Sequence, residues 1–324
     1  MAVSSLSVNA EAMKIVRRIL AAPEAIGAEV CRLPNGATVI DVGQRAPGSW
    51  QAGRDFTLVT VGGLGEVSFE GFTLGGRRLP AVRLMVNRPL EACMACQVAG
   101  WRLADEPDAP ILAGPARALR NPPDDHVVLS GYRDRHHEGV VTVQMSRPVT
   151  AEMADAMAQA CGLAAENLYI LAARHACIVS AVQVSARGIE TAMHRLALEG
   201  FDLGCIRHAW TTAPIAPLVD HELTVMGRIN DALYYGSEVG LCVHGSDELL
   251  EALVSRVVTA ASPLARRLFA QVYRDAGFDF HKIAQDAHTP AILHLTNIDS
   301  GRTFSAGHID AEVLERSFFG AILS

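Results

Sequence analysis

The chain has 324 residues, half of them hydrophobic and 19% charged, a globular composition long enough to bury a sizeable core in two domains. Its net charge is -7 and its basic residues are scattered, without a Lys/Arg run or interleaved aromatics, which excludes nucleic acid as a partner. The most apolar stretch, Leu168 to Val184, carries Arg174 and His175 in its middle, so no membrane span is expected. The N-terminus lacks the basic start and apolar stretch of a signal peptide, and a cytoplasmic protein is expected. Seven scattered cysteines in a chain of this length point to reduced thiols. With aromatics at only 6%, the core must come mainly from Ala, Val, Leu and Ile, and the apolar excess suits a subunit interface.

In chain order, the pattern predicts a helix from Ser7 to Ala22, with a cap at Ser7 or Asn9 and Glu11 in its first turn. Short strands follow at Val30 to Leu33, Ala37 to Val42, Thr57 to Val61 and Ala81 to Val86. Further strands are predicted at Val127 to Leu129, Val140 to Gln144, Leu168 to Leu171 and Ile178 to Val184. Helices are predicted at Thr150 to Cys161, Ile189 to Glu199 and Ser246 to Ala260, each with a cap or a closing Gly, and another should open at Ser262-Pro263. A strand pair, Ile292 to Leu295 and Thr303 to Ser305, precedes a last helix from Asp310. The alternation lacks strict βαβ regularity, so the fold class is mixed α/β (α+β) in two lobes. The Pro-rich stretch at Asn121-Pro122-Pro123 sets the lobes at 1–122 and 123–324, with terminal segments free to cross over.

Val61-Gly62-Gly63-Leu64-Gly65 fails the dinucleotide fingerprint, because strand-like sequence rather than a helix follows it. A structural hairpin or a close ligand approach both remain open there. Arg117, beside the Gly114-Pro115 bend, is a weak signal for holding an anion. Arg187 and Glu190 are three residues apart on a first helical turn and share a face, either as a surface ion pair or as a carboxylate held beside a cation in an active site. Cys93-x-x-Cys96 has no second pair at zinc spacing and reads as buried small hydrophobes. His136 and His137, adjacent on a strand, should point to opposite faces and not share one metal ion. Asp220-His221 has the same limitation, and no metal site is expected.

A series of short segments resembles the methenyltetrahydromethanopterin cyclohydrolase family. It runs from Asn35-Gly36-Ala37-Thr38 through Gly62-Gly63-Leu64-Gly65, Gln97-Val98-Ala99-Gly100-Trp101 and Gly114-Pro115-Ala116-Arg117 to Gly131-Tyr132-Arg133-Asp134. It continues with Gln183-Val184-Ser185-Ala186-Arg187-Gly188-Ile189-Glu190, Ala213-Pro214-Ile215, Asn230-Asp231-Ala232 and Phe278-Asp279-Phe280-His281. The resemblance covers nearly the whole chain. It implies a cofactor-free hydrolase of two lobes with a substrate cleft between them, assembled as a homotrimer. The substrate would be a methenyl-tetrahydromethanopterin-type one-carbon carrier, whose methenyl bridge is a delocalised amidinium cation. Glu190 would be the acid/base and Arg187 its partner. Gly62, Gly63, Gly65, Gln97, Gly114, Pro115, Arg117, Gln183, Asn230 and Asp231 would bind substrate. The chain departs from the family pattern at Leu112-Ala113, at Arg174 to Cys177, at Ser180, at Val98 and at His288. Those changes motivate an alternative: a divergent paralogue that binds a pterin or acts in assembly without hydrolysis.

Overall fold

The computed structural model describes residues 6–103, 110–279 and 282–321. The chain forms two compact units, one of Met1–Gly65 with Leu90–Ser180, the other of Glu66–Pro89 with Ala181–Ser324. The break expected at residue 122 falls inside the first unit. The chain instead crosses three times, because strands from residues 66–89 pair with the C-terminal sheet.

The first unit is built on a sheet of order β1-β2-β8-β7-β6-β5, comprising β1 (Glu29–Arg32), β2 (Thr38–Gly43), β5 (Trp101–Arg102), β6 (Ile111–Ala113), β7 (Gly139–Gln144) and β8 (Leu168–Ala173). The central β2, β8 and β7 run parallel. Helix α1 (Val8–Ala21) covers one face. Ser7 caps it through its hydroxyl, which accepts the Ala10 N–H, and Ala12, Val16 and Ile19 point into the core. Asp134 fixes the start of this helix: its Oδ2 accepts from the Ser7 hydroxyl, the Asn9 backbone N–H and the Asn9 amide, all within 3.0 Å. Tyr132 adds a hydroxyl that accepts the Val8 N–H and donates to the Leu6 carbonyl. The Gly131–Asp134 motif is therefore the dock for α1. On the other face, α4 (Ala151–Cys161), capped by Thr150 and closed by Gly162, buries Ala154, Met157 and Ala158 with Val141 and Leu168.

Three segments with strand-like composition are helical. Thr57 to Val61 lies at the end of α2 (Trp50–Thr60), where Ala52, Phe56 and Val59 are buried at helical spacing and Ser49 caps the start. Val127 to Leu129 belongs to α3 (Asp125–Ser130), started by Asp124. Ile178 to Val184 is α5 (Ile178–Ser185), mostly apolar and buried on nearly every side, with Ser180, Gln183 and Ser185 buried as well, so periodicity carries no signal between helix and strand. Cys93 and Cys96 lie in an eight-residue π-helix, Leu90–Gln97, with both side chains fully buried. Burial pushes the Cys96 thiol far above its usual range, so it stays protonated.

The second unit carries the sheet β12-β11-β10-β9-β4-β3, comprising β3 (Gly65–Leu74), β4 (Arg77–Val86), β9 (Ile206–Pro214), β10 (Glu238–Val243), β11 (Ile292–Asn297) and β12 (Thr303–Gly307). Strands β10 and β11 are parallel, while β9 runs antiparallel to both β4 and β10. Helices α6 (Gly188–Leu198), α7 (Glu222–Gly236), α8 (Asp247–Val254), α9 (Phe269–Asp275) and α10 (Ala311–Phe319) complete it. The helix expected over Ser246 to Ala260 stops at Val254, and Ser262-Pro263 opens a turn rather than a helix. Strands β9 and β10 and the 15-residue α7 are additions to the sequence reading.

Candidate active site

Glu190 is placed by a short chain of local causes. The C-terminal end of α5 is tied to the sheet by the buried Ser185 hydroxyl, which donates to the Pro214 carbonyl at 2.8 Å. After Ala186 and Arg187 the chain starts again as α6 at Gly188. A Cβ there would lie 2.2 Å from Thr211 Oγ1 and 2.9 Å from Val239 Cγ2, so only glycine lets this first turn sit on β9 and β10. Gly188→Ala is expected to cost about 1–3 kcal/mol by overpacking and to slow turnover, since it displaces the turn that carries Glu190; paired melting and rate measurements check both effects.

From that turn Arg187 bridges two helices. Its Nε donates to Gln183 Oε1 at 3.0 Å, and its Nη1 donates to Glu190 Oε2 at 2.9 Å. The Arg187 and Glu190 side chains are only 12% and 14% exposed, which weakens solvent screening of the pair. Residues 187, 190 and 194 fall on one helical face, so His194 continues the polar stripe while Ile189, Met193 and Leu196 are buried. The arrangement presents a carboxylate, fixed by a guanidinium that is itself fixed by an amide.

The other expected site residues divide between the two units. In the first, Gly62 (φ +64°) and Gly63 (φ +72°) close α2 against α1, where a Cβ would meet Val8 Cβ at 2.8 Å and the Glu11 backbone at 2.9 Å. The Gly62–Gly65 loop thus follows a helix, not a strand, and Gly65 begins β3. Gly114 (φ +101°) donates its N–H to the Cys96 carbonyl, Pro115 accepts from the Asn9 amide, and Gln97 is fully buried at the end of the π-helix. Arg117 is completely buried: its guanidinium grips Asp124 through two hydrogen bonds and donates to the Met94 carbonyl. These residues gather around the π-helix and the start of α1.

In the second unit, Gln183 joins Arg187 and Glu190, while Asn230 donates back to the Met226 carbonyl of its own helix. Asp231 is buried, accepting the Phe269 N–H and the Ser317 hydroxyl, and so ties α7 to α9 and α10. Burial raises its carboxyl to about 7. A carboxyl raised in the folded state contributes stability that is complete below its unfolded value and lost as pH rises through 7, ~4 kcal/mol at most. Asp231→Asn, whose amide can serve the same two partners, should therefore gain on the natural protein as pH rises from about 5 to about 8 in a melting series.

Some residues escaped sequence reading. Tyr234 on α7 is hydrogen-bonded to His288 Nδ1, 54 residues away, with the rings edge-on at 5.7 Å. Only the spacing of His194 from Glu190 was visible locally. His136 and His137 lie before β7 and their rings stack at 4.5 Å rather than facing apart. Among the described residues no group of three or more His, Cys, Asp or Glu could hold a metal ion. His221 caps α7, its Nδ1 accepting the Thr224 N–H. The departures at Cys177 and Ser180 fit one another: the Cys177 thiol and the Ser180 hydroxyl both donate to the Arg174 carbonyl. Phe280 and His281 lie outside the described residues.

Comparison with known proteins decides the family. A model described as Cyclohydrolase (MCH) matches residues 7–318. The chain belongs to the cyclohydrolase family. A methenyltetrahydromethanopterin cyclohydrolase of Methanosarcina barkeri is 34% identical over 315 residues, 97% of this chain and 98% of that protein. One from Methanocaldococcus jannaschii is 33% identical over 316 residues, covering 96% and 98%. A third, from Methanothermobacter thermautotrophicus, is 32% identical over 318 residues, covering 97% and 99%. The match to the cyclohydrolases spans both units, including the Gln183–Glu190 segment.

Proposed function

We propose that this cyclohydrolase adds water to the methenyl bridge of a tetrahydromethanopterin-type carrier, giving the N-formyl form, with Glu190 as acid/base and Arg187 as its positioning partner. The observation that carries the reading is the nearly buried Arg187–Glu190 pair, closed at 2.9 Å at the start of α6. The bridging carbon is electrophilic because it shares the positive charge of two nitrogens. Water attacks it while Glu190 takes one water proton. The C–N bond then breaks, its electron pair stays on nitrogen, and Glu190 returns the proton there. The remaining hydroxyl proton leaves as the formyl carbonyl forms, so each turnover releases one proton.

Arg187 is a permanent cation and would repel the amidinium if it faced it. Its bonds to Gln183 and Glu190 suit a different part, that of holding one carboxylate oxygen while the other meets water. The reading assigns substrate contacts to the Gly62–Gly65 loop, Gln97, Gly114 and Pro115 in the first unit and to Asn230 in the second, while Arg117 and Asp231, bound to Asp124 and to Phe269 and Ser317, support the fold around them. The same reading includes a cytoplasmic homotrimer. The exposed Phe69 and Met85, on β3 and β4, support an oligomer by offering apolar surface. Sedimentation and cell fractionation test those two parts. No described helix is long and apolar enough to cross a membrane.

The test is to follow the methenyl-carrier absorbance as purified protein is added. Rapid bleaching with formyl product supports hydrolysis. Saturable binding without bleaching above the spontaneous rate would replace the reading with that of a pterin-binding paralogue.

A further inference from the structure

The second sheet has two unlike faces. On one, Val239 and Leu241 of β10 and Leu293 and Leu295 of β11 are buried, and Gly188 seats the start of α6 beside Val239. The residues between them point the other way. There the strands align Met85, Trp210, Gly240, His294 and Ser305 in one row, one residue each from β4, β9, β10, β11 and β12. Glycine keeps the row flat. A Cβ at Gly240 would lie 2.2 Å from Trp210 Nε1, so the indole rests on bare β10 backbone and stacks with the His294 ring at 6.0 Å. A sheet face left to water favours polar residues, yet Met85 is 45% exposed here beside a half-buried Trp210. Met, Trp and Arg are the residues that protein interfaces concentrate.

The same face carries one charge of each sign. Arg83 and Glu238 are both in register with Thr212, on its two sides, so their backbones lie roughly 10 Å apart. Each turns toward the flat row instead of toward the other. The Arg83 guanidinium sits over the Trp210 ring, 5.7 Å from its centroid, and its Nε is buried with no hydrogen-bond partner among the described residues. Glu238, its side chain 44% exposed, accepts from His294 Nε2 at 2.9 Å through one oxygen. An arginine against aromatic and apolar groups with an unsatisfied N–H calls for an acceptor from outside the chain. A purely acidic partner would serve Arg83 and repel Glu238, and a basic one the reverse. A cation and an anion held apart on one face make that face complementary to itself, so the partner that serves both is another copy of the same surface.

We propose that this open face of the second sheet docks a second copy of the chain, with Arg83 of one protomer paired to Glu238 of the partner subunit. The inference rests on the oligomer in the functional reading and is independent of hydrolysis. Trp210 and Met85 supply the apolar centre of the contact, and the ion pair fixes its register. The two charges thus act between chains, which accounts for their separation within one.

The experiment is sedimentation velocity on the full-length protein over a concentration series, with methenyl-carrier bleaching read in parallel. The natural protein should sediment as an oligomer. Arg83→Glu and Glu238→Arg should each raise the dissociation constant about tenfold or more, because each sets like charges against one another across the contact. The double variant restores opposite charges and should return to within about threefold of the natural protein. Recovery by combining two disruptive changes separates pairing between copies from damage to the fold. Met85→Lys alters a side chain that the single chain leaves exposed, so it should weaken assembly while circular dichroism stays unchanged. A monomeric natural protein, single variants that assemble as tightly as it does, or a double variant no better than the singles overturns the inference. Bleaching is decided separately: an oligomer that docks through this face without turnover removes the hydrolytic reading alone, and a monomer that bleaches removes this inference alone.

Discussion

Replacing Glu190 by Gln lowers kcat by ~10²–10⁴-fold and raises KM only a few-fold. The size follows from what the substitution removes. Gln keeps the length and the oxygen that accepts from Arg187 Nη1, so the start of α6 and the link to Gln183 are preserved. It cannot take a proton from water or return one to nitrogen, and the whole of general acid–base assistance is lost. The charge lost from the site accounts for the weaker binding of a cation. Melting should fall by about 1–3 kcal/mol, because the nearly buried Arg187 keeps a hydrogen bond to the amide oxygen but loses the carboxylate's charge. Steady-state rates at saturating carrier check the prediction, and unchanged turnover would remove Glu190 from the mechanism.

The site was legible to the extent that it is local. Arg187 and Glu190 are three residues apart beside a helix start, a distance at which shared facing follows from the 3.6-residue repeat. What the spacing cannot supply is burial, and burial separates a surface pair from a nearly enclosed one. Tyr234 and His288 are joined across 54 residues by tertiary folding, so no local pattern announces them. The fold divides in the same way. Helices α1, α4 and α10 carry side-chain caps and one apolar stripe, and strands β2, β7 and β8 are short apolar, largely β-branched or Leu/Ile runs, with the Pro34-Asn35-Gly36 turn dividing β1 from β2. The Thr57–Val61 end of α2 and the whole of α5 misled because Thr, Val and Ile are concentrated there, and burial in the core outweighs their β propensity. The π-helix at Leu90–Gln97 has no sequence signature of its own, and Cys93-x-x-Cys96 drew attention to chemistry where there is packing. The unit boundary was missed because β3 and β4, near the N-terminus, complete a sheet whose other strands come more than a hundred residues later.

Arg117 illustrates a residue whose type suggested a ligand and whose surroundings hold the fold. Its guanidinium is wholly buried, with Asp124 at 2.7 Å and the Met94 carbonyl at 3.1 Å. Burial pushes the Asp124 carboxyl up, but the Arg117 charge, the Val127 N–H and the Arg117 hydrogen bonds outweigh it and hold the group below its usual range. Arg117→Met fills the space with apolar atoms yet leaves Asp124 partly buried without its main partner. Arg120, at 3.2 Å, compensates in part, so the expected loss lies near the lower end of the ~3–5 kcal/mol typical of breaking such a pair. The sign with pH follows from linkage. In the natural protein the depressed carboxyl contributes stability above its unfolded value near 3.8, lost as pH falls through its lower folded value. In the variant, burial without Arg117 raises the same carboxyl, so acid relieves the variant before it harms the natural protein. The gap between the two urea midpoints should be widest near neutrality and narrow as pH falls below about 5. A gap that stays constant over that range would mean that the loss comes from packing around the π-helix and not from the stranded Asp124 charge.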